Sequence, residues 1–140
     1  DDLGVEVVID DAYQWLRRSR RRFDVVVDDV YLAGKDDVFR PLAWQREHCK
    51  MLGRAVAAGG LLAANLVTGP GHRAMQSQVR RMFRGSYPVV RSVTTRDSLN
   101  ETLVGGAGVA TGGVLAGWES RVADGKDRGY WRRMRVRRLG

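Results

Sequence analysis

Cysteine and histidine are scarce in this chain of 140 residues, which has one cysteine and two histidines. An internal disulfide is therefore excluded, and no set of Cys and His residues has the spacing of a zinc site. This scarcity indicates a reducing, cytoplasmic setting and no structural metal. Cys49 is predicted to be a small core side chain, and His48 is predicted to pack or face solvent rather than to act in catalysis.

Long apolar segments are also missing. The uncharged run over 102–118 contains six glycines, and no uncharged run of the chain reaches the roughly 20 apolar residues that a membrane-spanning helix needs. The first residues are Asp1 and Asp2, and no basic segment precedes an apolar one there, so a signal peptide is not expected. Membrane insertion is not expected either.

Positive charge is in excess, with 24 lysines and arginines against 16 aspartates and glutamates and a net charge of +8. Arginine supplies 21 of these cations, a skew that the base composition of the gene explains without selection for binding. Nucleic acid is therefore not an expected partner, although a basic nucleic-acid-binding module stays open as an alternative. The arginines concentrate in 17–22, where a helix should end and its dipole favours cations, and in 130–138. The second cluster lies in a loose basic tail predicted over 123–140.

Apolar periodicity alternates between strand and helix along the chain. It predicts strands at 5–9, 23–27, 61–67, 89–94 and 100–104. Helical spacing, with glycine and proline at the boundaries, predicts helices at 12–21, 40–59 and 72–84. The last two strands are too close for a crossover helix and are expected to form an antiparallel hairpin. The other strands are expected to be parallel, giving a Rossmann-like, three-layer, mainly parallel α/β domain over 1–122.

Polar side chains follow the first three predicted strands. Asp10 and Asp11 end the first strand, Asp28 and Asp29 the second, and Asn65 the third. Ligands bind beyond the carboxyl ends of strands in an open parallel sheet. These side chains are therefore expected to line one acidic cleft that suits a cationic or hydrogen-bond-donating ligand. For Asp10 or Asp11, capping of the following helix is an equal alternative, whereas no predicted helix begins directly after Asp29.

Three runs carry a family resemblance: VEVVIDDAYQWL at 5–16, FDVVVDDVYL at 23–32 and AAGGLLAANL at 57–66. Together they resemble the second half of class I S-adenosylmethionine-dependent transferases, and within these the spermidine-synthase-like branch. The resemblance covers about residues 4–110. It implies transfer of an aminopropyl or methyl group, from S-adenosylmethionine or its decarboxylated form, to a small-molecule amine. A homodimer stays open as the assembly.

The resemblance also implies roles for particular residues. Asp11, followed by Ala12, stands where the family holds the adenine amino group of the cofactor. Asp29 stands where an aspartate orients and deprotonates the attacking amine. That role is chemically sound because a protonated amine is a poor nucleophile and a carboxylate can accept its proton. The residues predicted to bind substrate are Asp28, Tyr31 and Asn65.

Two features depart from the family pattern. Leu32 stands where aminopropyl transferases carry a second aspartate, so methyl transfer, an altered acceptor and a catalytically silent interaction module all stay open. The glycine-rich loop and the ribose-binding acid, which the family places on its first two strands, have no counterpart here. We therefore expect a fragment that lacks those strands and binds cofactor weakly by itself. The strand at 5–9 is then expected to pair with the strand at 23–27 or to lie at an unprotected edge.

Overall fold

Helices and strands alternate through the computed structural model, which describes residues 4–35, 38–40, 46–109 and 119–140. The helices are α1 (Ala12–Arg18), α2 (Arg46–Ala55), α3 (Arg73–Ser86) and α4 (Gly125–Arg133). The strands are β1 (Phe23–Asp28), β2 (Leu32–Ala33), β3 (Val38–Phe39), β4 (Val56–Val67), β5 (Val90–Thr94), β6 (Asn100–Gly105) and β7 (Arg135–Arg138). Two short 3-10 turns cover Pro70–His72 and Glu119–Arg121.

Five strands form one mixed sheet in the order β1-β4-β6-β5-β7, and β2 and β3 form a separate two-stranded ribbon. The β1–β4 pairing is parallel, whereas the other three pairings of the large sheet are antiparallel. The α/β class and the β5–β6 hairpin are thus confirmed, but the prediction of a mainly parallel sheet is wrong. The connection over 95–99 is too short for a crossover helix, and β7 adds a further antiparallel pairing.

The strand predicted at 5–9 does not form. These residues lie outside the sheet, and their apolar side chains are largely exposed, with Ile9 at 99 %. β-Branched residues favour an extended backbone, but a strand also needs a neighbour to accept its hydrogen bonds. The segment stays unpaired, and β1 is left at the open edge of the sheet.

The hydrophobic core lies on one face of the large sheet. Alternate residues of β4 are fully buried, as the period of a strand requires. Together with residues of α2, α3, β5 and β6 they form one hydrophobic cluster, whose fully buried side chains are Leu62, Ala64, Leu66, Val79, Phe83 and Leu103. Cys49 of α2 belongs to this cluster, which confirms its predicted core position. Each large side chain contributes about 1.5–3 kcal/mol by this burial. Among the described residues the core thus has two layers, where the sequence predicts three.

Strand β4 begins five residues earlier than predicted, because α2 ends at Ala55 and does not reach Gly59. A Cβ atom on Gly60 would lie 2.7 Å from the Asp24 carbonyl oxygen of β1. Glycine at this position therefore allows β1 and β4 to approach closely. Gly59 has a positive φ of 82°, which glycine adopts without strain.

The carboxy-terminal segment is basic but is built into the fold. Asp124 caps α4 by accepting hydrogen bonds from two backbone amides of its first turn, and β7 pairs with β5, placing Val136 opposite Val93. Leu139 packs against the core and donates its amide to the Val90 carbonyl at 3.0 Å. The expectation of a loose tail is therefore corrected. Within the described ranges, no helix is both long enough and apolar enough to cross a membrane.

Candidate functional site

The carboxyl ends of β1 and β4 bring two predicted site residues together. The parallel register pairs Asp28 with Ala64, so Asp29 and Asn65 follow side by side. The Asn65 side-chain amide donates a hydrogen bond of 2.8 Å to Asp29 Oδ1. Asp29 is exposed, and Oδ2 has no hydrogen-bond partner among the described residues. A solvent-facing carboxylate is thus held at the sheet edge by one of its two oxygens.

Tyr31 stabilises the position of Asn65 through hydrogen bonds to the backbone of β4. Its hydroxyl donates to the Asn65 carbonyl at 3.0 Å and accepts from the Val67 amide at 3.0 Å. Tyr31 was predicted to bind substrate, but its hydroxyl group is already used within the protein. It fixes the end of β4, which carries Asn65.

Asp28 points to the opposite face of β1 and is buried. Adjacent residues of a strand alternate between faces, so the exposed Asp29 implies an inward Asp28. Its Oδ2 accepts a hydrogen bond of 2.8 Å from Arg40 and lies 3.8 Å from His48 Nε2. The three side chains are at most 4 % exposed. Direct contact of Asp28 with substrate does not fit this placement, and Asp28 is instead an internal anchor for Arg40.

Arg40 connects the buried group to the exposed pair. It donates one hydrogen bond to Asp28 and another to the carbonyl oxygen of Asn65. Its guanidinium also lies 4.7 Å from the centre of the Tyr31 ring, a distance that allows a cation–π contact. Asp28 therefore acts on Asn65 through Arg40, and Asn65 in turn holds Asp29.

The electrostatic surroundings of Asp28 and Arg40 keep both side chains ionised. Burial alone would raise the pKa of Asp28, but the His48 imidazole, 3.8 Å away, and the charge of Arg40 outweigh this effect and hold that pKa below its ordinary value. Burial lowers the pKa of Arg40, yet the negative charge of Asp28 outweighs this effect, and the pKa is raised. Asp28 and Arg40 thus form a charged pair that is largely shielded from solvent.

Tyr13 of α1 closes the interior side of the site. Its ring lies 4.4 Å from the His48 ring, centre to centre, at an angle of 57°. Burial, followed by the charge of Asp28, raises the pKa of Tyr13 to about 12, so the phenol stays neutral. Sequence reasoning missed the roles of Tyr13 and Arg40, whereas His48 packs in the interior, one of the two placements predicted for it. The only signal for the missed roles is the need of a buried carboxylate for a cation, and this need does not say which of 21 arginines meets it.

Asp11 lies at the start of α1 and caps it. Its Oδ1 accepts hydrogen bonds from the amides of Tyr13 and Gln14, at 2.9 and 2.8 Å, which confirms the capping alternative. Both bonds use the same oxygen, and Oδ2 has no partner among the described residues. Asp11 and the Asp29–Asn65 pair are therefore not joined by a direct contact.

A hollow of about 630 Å³ runs along the open edge of β1, between this strand and the extended segment 4–9. It is lined by the predicted cofactor residue Ala12, by Asp10, Tyr13 and Asp28, and by the apolar side chains Val8, Val25 and Val27. Asp11, Asp29 and Asn65 do not line it. The expectation that these three residues share one cavity is therefore not met by the geometry of this hollow.

Comparison with known proteins adds no family to this geometry. No family model matches the chain, and no curated protein matches it at a significant level. Among the residues that the structure describes, no three or more His, Cys, Asp and Glu side chains are grouped so that they could hold a metal ion. The chemistry of the site rests on the exposed Asp29, its partner Asn65 and the buried ion pair behind them.

Proposed function

We propose that this chain is part of a spermidine-synthase-like transferase that moves an aminopropyl or methyl group onto an amine. The observation that carries the proposal is the pairing of Asp29 with Asn65 at the carboxyl ends of two parallel strands. Ligands of open α/β sheets bind at this edge. The resemblance implied this position for both residues, and their hydrogen bond of 2.8 Å supports a shared role.

Asp29 acts as the acceptor of the amine proton. Asn65 occupies Oδ1, so Oδ2 is left to bind a protonated amine and to take its proton. The amine nitrogen then forms a bond to the transferred carbon, the bond between this carbon and sulfur breaks, and the electron pair leaves with sulfur. The proton passes from Asp29 to solvent. The rigid sheet edge contributes alignment, which is the main requirement of such a displacement.

Asp11 and Ala12, at the start of α1, would hold the adenine end of an adenosyl cofactor. Capping leaves Oδ2 of Asp11 unused, so this oxygen can accept a hydrogen bond from an adenine amino group, and the small Ala12 next to it leaves room for the ring. When bound, S-adenosylmethionine or its decarboxylated form supplies an alkyl group made reactive by a sulfonium. Capping and cofactor binding by Asp11 are compatible, because each uses a different oxygen.

The open edge of β1 supports the proposal that this chain forms part of a larger sheet. Val25 and Val27 of this strand are 55 % and 66 % exposed, and the extended segment beside them exposes Val5 and Val7 even more. The open edge of an apolar strand is a site for pairing with another strand. We propose that the strands carrying the glycine-rich loop and the ribose-binding acid pair with this edge.

Leu32 bears on the acceptor. It lies in the short strand β2, is 48 % exposed, and carries no charge that could grip a second amino group. This supports an acceptor with one amino group over a diamine.

The proposal is tested with the full-length protein. S-adenosylmethionine or its decarboxylated form is expected to raise the melting temperature, and Asp29→Asn is expected to lower the rate of alkyl transfer by about 10²–10⁴-fold. Asp24→Asn is the matched control, because Asp24 is an exposed carboxylate of the same strand, and it should keep full activity. No thermal shift with either compound would contradict the proposal. Tight cofactor binding without transfer to any amine would favour a catalytically silent module instead.

A further inference from the structure

A strongly basic cleft of about 720 Å³ lies between α1 and α2. Among the described residues that line it, Glu47 is the only acid. The cations that line it are Arg17, Arg20, Arg21, Arg22, Lys50 and Arg54. A concave surface with charge of one sign focuses the electric field and concentrates ions of the opposite sign. The cleft therefore attracts an anionic ligand.

The basic cleft is separate from the Asp29–Asn65 site. Phe23, the first residue of β1, pairs with Val56, the first residue of β4. The arginines at 20–22 and Arg54 precede these two residues, so they lie at the amino ends of both strands. Asp29 follows the carboxyl end of β1, and Asn65 lies near the carboxyl end of β4. A ligand of the cleft therefore need not take part in the proposed transfer reaction.

Four of the six cations are available to a ligand. Arg21 pairs with Glu6 at 2.7 Å, and Arg22 donates to the Val56 carbonyl at 3.3 Å. The other four, by contrast, are exposed and have no ion pair or hydrogen bond with any described residue; these are Arg17, Arg20, Lys50 and Arg54. Their like charges on two facing walls repel one another until an anion lies between them.

The apolar residues that line the cleft restrict the class of ligand that it can bind. They include Leu16, Met51 and Ala55, the apolar floor of the cleft. A ligand that fits both features carries regularly placed anionic groups and flat apolar groups. Guanidinium groups match phosphate with two parallel hydrogen bonds. A nucleic-acid strand has both parts, with phosphates for the rim and exposed bases for the floor.

We propose that the basic cleft between α1 and α2 binds the backbone of single-stranded nucleic acid. A flat membrane surface does not enter a concave cleft, and an acidic peptide lacks the flat bases that match the apolar floor. This inference does not depend on the proposed transferase activity.

The test is fluorescence anisotropy with a labelled single-stranded oligonucleotide and the 140-residue chain, measured over a series of salt concentrations. If each of the four free cations neutralises one phosphate, the logarithm of the binding constant falls with the logarithm of salt concentration with a slope of about −3. The fourfold variant R17Q/R20Q/K50Q/R54Q is expected to lose most of this slope and to bind about tenfold more weakly or worse at low salt.

The charge-matched control is R84Q/R96Q/R137Q/R138Q, which removes four exposed arginines outside the cleft. It should retain the slope of the original protein. Circular dichroism checks the fold of both variants. If the first one fails to fold, single Arg17→Gln and Arg54→Gln variants should each reduce the slope by about 0.7. Equal losses in the two fourfold variants, a flat salt response, or equal competition by polyglutamate or inorganic polyphosphate would overturn the proposal.

Discussion

Two buried carboxylates in this protein are paired with arginine, but their surroundings differ. Glu101 of β6 is fully buried, and both of its oxygens accept hydrogen bonds, from the side chains of Arg80, Ser92 and Gln76. Asp28 of β1 uses Oδ2 for Arg40, whereas its buried Oδ1 has no hydrogen-bond partner among the described residues. Both oxygens of Glu101 are thus hydrogen-bonded, whereas only one oxygen of Asp28 is.

We interpret this difference as one between a structural cluster, around Glu101, and a cluster that supports the proposed site, around Asp28. Glu101 joins α3 to β5 and β6, far along the chain from any predicted site residue, and all its hydrogen bonds are internal. Incomplete pairing, as at Asp28, is rare in protein cores and recurs at functional sites. Asp28 also lies one residue before the exposed Asp29. Arg40, which Asp28 holds, donates to the Asn65 carbonyl, and Asn65 donates to Asp29, so hydrogen bonds connect Asp28 to the proposed reaction centre.

The largest stability loss is expected for Asp28→Asn. The Arg40 side chain is only 3 % exposed, so the substitution leaves a buried cation without its counter-charge. Breaking a buried pair in this way costs about 3–5 kcal/mol. Urea unfolding followed by circular dichroism measures the change. A loss below about 1 kcal/mol would show that Arg40 finds another partner, and would contradict the role of Asp28 as its anchor.

The same variant has a predicted pH dependence. The pKa of Asp28 is lowered in the folded protein, so the unfolded chain binds the proton more readily. The stabilisation by Asp28 is therefore complete above about pH 4, the ordinary range of aspartate, and is lost as pH falls through the lowered pKa. The free-energy difference between the original protein and Asp28→Asn should shrink on acidification. A difference that stays constant down to pH 2 would contradict the assigned shift.

A smaller loss, about 2 kcal/mol, is expected for Glu101→Gln. Arg80 is 42 % exposed, so it can turn towards water when the charge of Glu101 is removed. The glutamine keeps most of the volume and part of the hydrogen bonding with Ser92 and Gln76. Unfolding under the same conditions as for Asp28→Asn gives a direct comparison, and a larger loss here than at Asp28 would reverse the order of the two clusters.

Tyr13→Phe is expected to change the free energy of unfolding by less than about 1 kcal/mol at neutral pH. Above pH 10 the difference in free energy of unfolding between the original protein and Tyr13→Phe should depend on pH. The folded pKa of Tyr13 is raised to about 12, so the unfolded chain loses its proton first and stability falls as pH rises from 10 towards 12. The phenylalanine variant lacks this contribution. Ultraviolet titration of the phenolates should show one late-titrating tyrosine fewer in the variant, while Tyr87, whose pKa is also raised by burial, still titrates late; an unchanged late phase would contradict the assignment.

The smallest stability effect, about 0.5 kcal/mol, is expected for Asp29→Asn, because the side chain is exposed. Thermal unfolding measures it. A loss as large as that of Asp28→Asn would mean that Asp29 is a structural residue, and would remove the distinction between the anchor and the reacting group.

Local patterns predicted most of the elements but not how they assemble. The runs at 23–27 and 61–67 form β1 and part of β4, and the helical spacing at 72–84 matches α3. The rule that polar groups gather at the carboxyl ends of parallel strands correctly placed Asp29 beside Asn65. The segment 5–9 has the composition of a strand, but composition does not supply the neighbour that a strand requires.

The partners of Asp28 could not be predicted because they come from distant parts of the chain. Arg40 follows the β2–β3 ribbon, and His48 lies on α2, so their approach depends on how these elements pack. No spacing rule connects them to β1. The direction of β6 was predictable, since a short connection permits only an antiparallel neighbour, whereas the addition of β7 to the sheet depended on tertiary contacts of a segment rich in arginine.

The most direct test of the central claim uses NMR of the full-length protein, with the side-chain signals of Asn65 and Arg80 assigned. A primary aliphatic amine added with an S-adenosyl cofactor is expected to shift the Asn65 side-chain amide signal, because Asp29 takes up the amine, while the Arg80 Nε signal beside Glu101 stays in place. An unmoved Asn65 signal at saturating amine and cofactor would contradict the assignment of Asp29 and Asn65 as the reaction centre.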